Sequence, residues 1–394
     1  MVDSGPPDTY VKFHSGRRFN PSKEPQLVDL QYFPLPGASI DEIDTPAIIV
    51  DLDIAEANIA RLQEFGDANG TSIRPHSKTH KSPVFARKQI EAGAIGICCA
   101  KVGEAEAMVA GGVKDILIPN QVVGSTKITR LIALASEANI VVAADDPDNV
   151  KQLSVAASGA GKEIGVIVEV NVGMNRCGTE PGEDTTALAK VITDSPGLRF
   201  DGVMGYEGHT VAVRDESERR ANAEKAMATL LSAVDNIEAA GMPVSVISAS
   251  GTGTYNITGK MDRITDLQCG SYIFMDGDYL EVFQDFTPAL TVLATVISRP
   301  TSDRAVLDTG MKAMSIDRGL PIVVDRPGAK YTSISEEHGV MAVEGDAQRL
   351  KVGDKIQLRP MHGDTTINLH SHYFGFRNGK LDSVIEIAGR GRFR

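Results

Sequence analysis

The feature that most constrains this chain is an alternation: strand-like runs recur eight times between residues 72 and 274, and most are separated by amphipathic segments. The runs are "SIRPH" 72–76, "IGICCA" 95–100, "DILIP" 115–119, "IVVAA" 140–144, "VIVEV" 166–170, "GVMGY" 202–206, "VSVIS" 244–248 and "CGSYIF" 269–274. The segments between them, such as "SPVFARKQIEAGA", "STKITRLIALASEA" and "RRANAEKAMATLLSAVDNIEAAG", carry apolar residues at helical spacing. Runs that are mostly apolar on both faces, each leading into a helix, predict parallel βα units. Eight such units predict an α/β fold of the TIM type, a (β/α)8 barrel. The link over 249–268 is short and Gly-rich, so the seventh helix is expected to be weak.

The flanks have a different texture. Residues 1–40 are rich in Pro, Gly and charge without a sustained period and read as an arm. "AIIVDL" 47–52 is a strand, and "DIAEANIARLQEFGDANG" after it is a helix with a glycine stop. Beyond about residue 285, "ALTVLATVIS", "AVLDTG", "GVMAV", "KIQLRP", "INLHSHYFGF" and "SVIEIAG" are β-type runs with no good helix between them. The expected organisation is an arm and strand over 1–52, the barrel over 53–285, and an all-β domain over 286–394 into which the strand at 47–52 pairs.

A length of 394 residues accommodates this plan, and 42% hydrophobic with 23% charged residues is ordinary for a soluble globular chain. The net charge of −12 argues against a nucleic-acid partner, which needs a concentrated basic surface. Cys98, Cys99, Cys177 and Cys269 form neither a disulfide framework nor a CxxC motif, so they read as buried small residues in a reducing cytoplasm. The N-terminal segment lacks the order of a signal peptide, and no run approaches membrane-spanning length, so no membrane partner is expected.

In a barrel of this kind chemistry collects at the C-terminal strand ends. Those ends carry His76, Lys78 and His80; Lys101; Asn120 and Gln121; Asp145; Asn171, Asn175 and Arg176; Tyr206, Glu207 and His209. After the seventh run comes Ser250-Gly251-Thr252-Gly253-Thr254, and the eighth carries Gly270-Ser271-Tyr272. One Gly/Thr loop reads as a flexible turn, but two at the last two strands make the phosphate cup common in such barrels. Lys78 reads either as a surface lysine or as an amine held partly out of water among cations, which lowers proton affinity as a Schiff base requires. Lysine and cup together point to pyridoxal 5′-phosphate (PLP). Arg176 is either a surface charge or a donor facing the pyridine nitrogen, where it opposes protonation. Tyr206 is either core or ring contact. Lys81 is expected to begin the next helix and face solvent.

Near the C-terminus, His362 and Asp364 stand two apart, on one face if the segment is extended, and suit a divalent ion; His370 and His372 compete at the same spacing. Either pair alone reads equally as a polar strand face.

The combination "TPAIIVDLD", "RPHSKTHK", "GMNRCG", "GYEGH", "SGTGTY", "LQCGSYIFMD", "SEEHG" and "HGDTTINLH" resembles the fold-type III PLP enzymes of the D-threonine aldolase and D-serine dehydratase group, distant relatives of alanine racemase. The resemblance runs from about residue 43 to the C-terminus. It implies a barrel plus β domain acting as a homodimer, with Lys78 as the Schiff-base lysine and Arg176 facing the pyridine nitrogen. Tyr206 and His209 would border the substrate, the histidine as base, while Gly251–Thr254 and Gly270–Tyr272 contact phosphate and His362 with Asp364 binds the metal. His-Gly-Asp stands where the dehydratase type carries His-x-Cys, and a carboxylate favours Mn²⁺ or Mg²⁺ over Zn²⁺.

The expected activity is cleavage of a small-molecule D-β-hydroxy-α-amino acid to glycine and an aldehyde. Its alternatives are a 3-hydroxy-D-aspartate aldolase, whose expected glutamine is Ala100 here, a D-serine or 3-hydroxyaspartate dehydratase, and a non-catalytic PLP-binding protein.

Overall fold

The computed structural model describes residues 33–394. Most of the arm expected over residues 1–40 lies outside the described residues.

The first described strand, β1 (Ala47–Asp51), is buried over its four apolar residues and hands directly to α1 (Leu52–Asn69). Asp51 caps that helix, its side chain accepting the Ile54 N–H at 3.0 Å, and Gly70 stops it at φ 69. The barrel follows as β2 (Ser72–Ile73), α2 (Pro83–Glu91), β3 (Ile97–Cys98), α3 (Val102–Ala110), β4 (Asp115–Gln121), α4 (Ser125–Leu134), β5 (Asn139–Ala144) and α5 (Pro147–Gly159). It continues through β6 (Ile164–Glu169), α6 (Glu183–Thr193), β7 (Leu198–Gly205), α7 (Glu216–Ala239), β8 (Val246–Ala249), α8 (Tyr255–Thr258), β9 (Asp266–Leu267) and α9 (Gly277–Leu280). The eight strands are hydrogen-bonded in the order β2-β9-β8-β7-β6-β5-β4-β3, all parallel. A bridge between His76 and Cys98 closes the ring. Cys98, Leu117, Val141, Ala143, Ile167 and Met204 fill its interior, so it is a packed core rather than a pore. The seventh helix is indeed short, at four residues.

One strand differs from the sequence reading. The eighth is Asp266–Leu267, not 269–274; Ser271–Ile273 forms a 3₁₀ turn beyond its end. The strand is short and contains a buried Asp266, whose carboxylate accepts from Ser248 Oγ at 2.8 Å and from Arg74 Nε at 3.3 Å. A charged residue masks such a strand from hydrophobic periodicity.

The C-terminal strands are β10 (Leu290–Thr301), β11 (Arg304–Leu307), β12 (Ile322–Val323), β13 (Ala329–Ile334), β14 (Gly339–Val343), β15 (Lys355–Arg359), β16 (His372–Arg377) and β17 (Lys380–Glu386), with α10 (Gly363–Ile367) between β15 and β16. β1 lies in this sheet, antiparallel to β10 and parallel to β16. The two layers meet through aromatic packing: Phe85 of α2 stands edge-on to Phe274 at 5.0 Å and to Tyr373 of β16 at 5.4 Å. The Tyr373 hydroxyl also donates to the His80 carbonyl at 2.6 Å. Among the described residues no helix is long and apolar enough to cross a membrane.

Candidate active site

Seven strand ends converge on one cavity of about 280 Å³, with Ala100 entering after β3 and Pro119 and Asn120 from the end of β4. Lys78 enters from the segment after β2, Arg176 from the loop after β6, Tyr206 from the end of β7, Ser250, Gly251 and Thr252 from the turn after β8, and Gly270 and Ser271 from the turn after β9. Lys78 Nζ lies 5.7 Å from the Tyr206 ring centroid, and Arg176 Cζ lies 5.6 Å from it. One aromatic ring thus stands close to both basic side chains.

The segment "RPHSKTHK" divides its labour. His76 lines the cavity; burial, Lys78 and Lys81 push its pKa well below the usual value, and its neutral Nδ1 accepts the Lys78 N–H at 3.3 Å. His80 faces the core instead: Nδ1 accepts the Ser82 N–H at 3.1 Å, Nε2 is 3.2 Å from Gln89 Oε1, and burial lowers it to about 4. Lys81 departs from the expectation of a solvent-facing side chain. It is only 14% exposed and pairs at 3.6 Å with the fully buried Glu104, which also accepts from Ser77 Oγ.

Glu207, in the sequence merely the neighbour of Tyr206, is fully buried and organises the turn after β8. Its carboxylate accepts the Ser250 N–H at 3.1 Å and the hydroxyls of Thr254 and Thr258, each at 2.7 Å. The first bond holds Ser250 at φ 76, a conformation a non-glycine residue adopts only when anchored. A Cβ on Gly253 would stand 1.9 Å from the Val211 carbonyl oxygen, and one on Gly270 would stand 2.9 Å from Thr79 Oγ1. Both turns therefore need glycine to seat against their neighbours.

Three residues expected at the cofactor do not line the cavity. Gly253 packs on Val211, the Thr254 hydroxyl turns to Glu207, and the Tyr272 ring is buried in the core, its hydroxyl accepting from Gln89 Nε2 at 2.9 Å. The Tyr272 backbone N–H still fixes the cup by donating to Thr252 Oγ1 at 3.1 Å. His209 is exposed on the loop beyond Tyr206, near Gly173, and likewise lies off the cavity wall.

His362 and Asp364 are not on a strand. Gly363 donates its N–H to Asp276 Oδ2 at 2.9 Å rather than to a sheet neighbour, so the chain turns into α10 with His362 as N-cap. The pair remains beside the cavity. Tyr279 lines it, and burial, Tyr206 and Asp364 push the Tyr279 phenol well up. Burial likewise raises the Tyr206 phenol against Lys78 and Arg176, with Glu207 and Asp364 adding to the rise. Asp364 Oδ1 is buried without a hydrogen-bond partner among the described residues, as a ligand oxygen awaiting a cation would be. Of the competing pair, His370 Nε2 is spent on the Ala313 carbonyl at 2.8 Å, and His372 packs edge-on to Phe33 at 4.8 Å.

The donor set also suits PLP: a lysine amine, an aromatic face, a guanidinium, and glycines with hydroxyls in two adjacent turns. Behind Arg176, Asp145, Glu169 and Cys177 bring ligand atoms within 4.8 Å of one another. Their carboxylates are already engaged. Gln121 Nε2 bridges Asp145 at 3.0 Å and Glu169 at 2.5 Å, and Arg176 pairs with Glu169 at 3.7 Å. This cluster anchors the arginine loop.

The family model "Alanine racemase, N-terminal domain" matches residues 50–278, and "Putative serine dehydratase domain" matches 289–376. The 3-hydroxy-D-aspartate aldolase of Paracoccus denitrificans (strain Pd 1222) is 40% identical over 370 residues, covering 91% of this chain and 95% of the relative. The D-threonine aldolase of an Arthrobacter species is 40% identical over 360 residues, covering 90% and 95%. The crystal structure of D-threonine aldolase from Filomicrobium marinum superposes with a TM-score of 0.89 at 38% identity, covering 91% of this chain and 99% of that one. With the barrel, the lysine and cup, and the His-Gly-Asp segment in place, the chain belongs to the D-threonine aldolase and D-serine dehydratase group of alanine racemase-like, fold-type III enzymes.

Proposed function

We propose that the chain is a PLP- and divalent-metal-dependent carbon–carbon lyase that cleaves D-β-hydroxy-α-amino acids to glycine and an aldehyde. The observation that carries this reading is the unpartnered, buried Oδ1 of Asp364, beside His362 and close to a cavity that also holds Lys78. PLP, when bound, supplies the carbonyl that joins the substrate amine and the conjugated ring that takes up the electron pair from Cα–Cβ. A divalent ion supplies a Lewis acid that lowers the pKa of the β-hydroxyl, and an oxygen ligand favours Mn²⁺ or Mg²⁺.

The chain's own residues do the rest. Lys78 would hold the cofactor through its amine. Arg176, backed by Glu169, would lie toward the cofactor ring and disfavour protonation there. Tyr206 would support the ring, and the two glycine turns would hold the phosphate. His209, exposed on the loop after β7, would take the hydroxyl proton directly or through water. Asp364 in place of cysteine favours aldol cleavage over the dehydration named for the D-threo-3-hydroxyaspartate dehydratase of Delftia, 31% identical over 351 residues. The four cysteines are all free, in keeping with a cytoplasmic enzyme, which we infer acts as a homodimer.

The test is to incubate the PLP-loaded protein with Mn²⁺ and a panel of D- and L-β-hydroxy amino acids. Aldehyde and glycine from D-substrates support cleavage. Keto acid and ammonia without aldehyde would replace it with dehydration, and no product from any D-substrate would end both readings.

A further inference from the structure

Asp317 lies on the segment before β12, 45 residues from His362, yet its Oδ2 is 2.6 Å from His362 Nδ1. The same carboxylate is fixed through Oδ1 by two further donors, Ser315 Oγ at 2.7 Å and Thr365 Oγ1 at 2.9 Å. Ser315 in turn donates its N–H to Thr366 Oγ1 at 3.2 Å, tying the segment to α10. With Oδ1 already accepting from two hydroxyls, the carboxylate faces the imidazole as an acceptor through Oδ2, so His362 Nδ1 is the donor and carries the proton.

A neutral imidazole with its proton on Nδ1 has one lone pair left, on Nε2. The opposite side of the same turn is held by Asp276, which accepts from Gly363 N–H at 2.9 Å and from Tyr279 N–H at 3.0 Å. The turn bearing His362 and Asp364 is therefore clamped between two carboxylates, only one of which touches the imidazole.

We infer that Asp317 is a positioning residue for the metal centre, its carboxylate holding the His362 ring in the tautomer and orientation that present Nε2 as a ligand. This rests on the metal-dependent reading above and extends it to a residue that contacts neither substrate nor ion. Carboxylates that orient metal-binding histidines typically account for 10–100-fold in metal affinity. A mere structural tie of the 315–317 segment to α10 would instead affect thermal stability and leave affinity alone.

The experiment is a titration of the PLP-loaded protein with Mn²⁺, followed by the loss of the free-ion EPR signal, in the original chain and in Asp317→Asn, Asp317→Glu and His362→Ala. Asparagine keeps an oxygen for the Ser315 and Thr365 hydroxyls but removes the charge. Weakening by about 10–100-fold in Asp317→Asn, with cofactor absorbance intact and partial recovery in Asp317→Glu, supports the inference. Unchanged Mn²⁺ affinity in Asp317→Asn, or loss of metal only together with cofactor and fold, overturns it. Mn²⁺ binding that His362→Ala leaves untouched, or none in the original chain, removes the metal-dependent reading itself and the inference with it.

Discussion

The Lys78 ammonium stands 5.7 Å from the centroid of the Tyr206 ring, so the end of β7 presents an aromatic face to the amine that follows β2. Arg176 lies at a similar distance from the same ring. Replacing Lys78 with alanine is expected to abolish the visible absorbance of lysine-linked PLP, because among the described residues no other lysine lines the cavity. Tyr206→Phe keeps the ring and is expected to retain that absorbance. The check is a spectrum after dialysis against cofactor-free buffer.

Three residues further on, Lys81 has a different task. Its ammonium is the partner of the fully buried Glu104, which burial raises above its usual 4.5 despite Lys81 and Ser77. Removing one member of a buried pair costs about 3–5 kcal/mol, so Lys81→Met is expected to keep PLP absorbance and lose thermal stability. The sign of the pH effect follows from the raised carboxyl. Between 4.5 and the folded pKa the folded state binds more protons than the unfolded, so stability falls as pH rises through that window. Without Lys81 the window widens upward, and the deficit should shrink on acidification toward 4.5. Thermal midpoints of both proteins at several pH values test this.

The difference between those two lysines marks the limit of what the sequence makes legible. The βα alternation is readable because runs such as "VIVEV" are largely apolar on both faces, and the cavity follows from reading what comes after each run. Glu104 and Glu207, and the half-buried Lys81, escape because a charged residue is by default exposed, and only the fold reveals the partners that draw these inward. Asp266 hides a barrel strand for the same reason. His362 and Asp364 are identifiable by type, but not their setting. The strand argument for a shared face fails on α10, and their nearness to the cavity depends on Asp276 catching the Gly363 N–H.

Glu207 makes a stability prediction with a functional component. Glu207→Leu strands three buried donors, each costing about 1–3 kcal/mol, so a lower thermal midpoint is expected. Ser250 also loses the anchor for its φ of 76, and the turn that lines the cavity relaxes. PLP affinity should fall with stability. A variant that melts lower yet binds cofactor with unchanged affinity would show that the turn holds itself.

His209 stands exposed on its loop rather than on the cavity wall, so its proposed part in catalysis, direct or through water, is tested by substitution. A general base contributes about 10²–10⁴-fold. His209→Asn is expected to lower kcat by that order with little change in PLP or Mn²⁺ affinity. An unchanged kcat would move the proton acceptor to a water or to another residue of the cavity.

Asp364 separates this chain from the His-x-Cys pattern of the dehydratase type, and its buried Oδ1, unpartnered among the described residues, makes it the proposed ligand most open to exchange. Carboxylate oxygen suits Mn²⁺ and Mg²⁺, whereas thiolate suits Zn²⁺. Asp364→Cys is therefore expected to reverse the order of Mn²⁺ and Zn²⁺ affinities, and Asp364→Ala to lose both. Chelation should silence the original chain, with Mn²⁺ restoring aldehyde release. In Asp364→Cys the same restoration should need Zn²⁺, and an aldehyde yield indifferent to the ion supplied would mean that position 364 does not ligate it. Because the thiolate alters the ion's acidity toward the β-hydroxyl, the ratio of aldehyde to keto acid from one D-substrate reads out whether this residue also selects between breaking Cα–Cβ and expelling the hydroxyl.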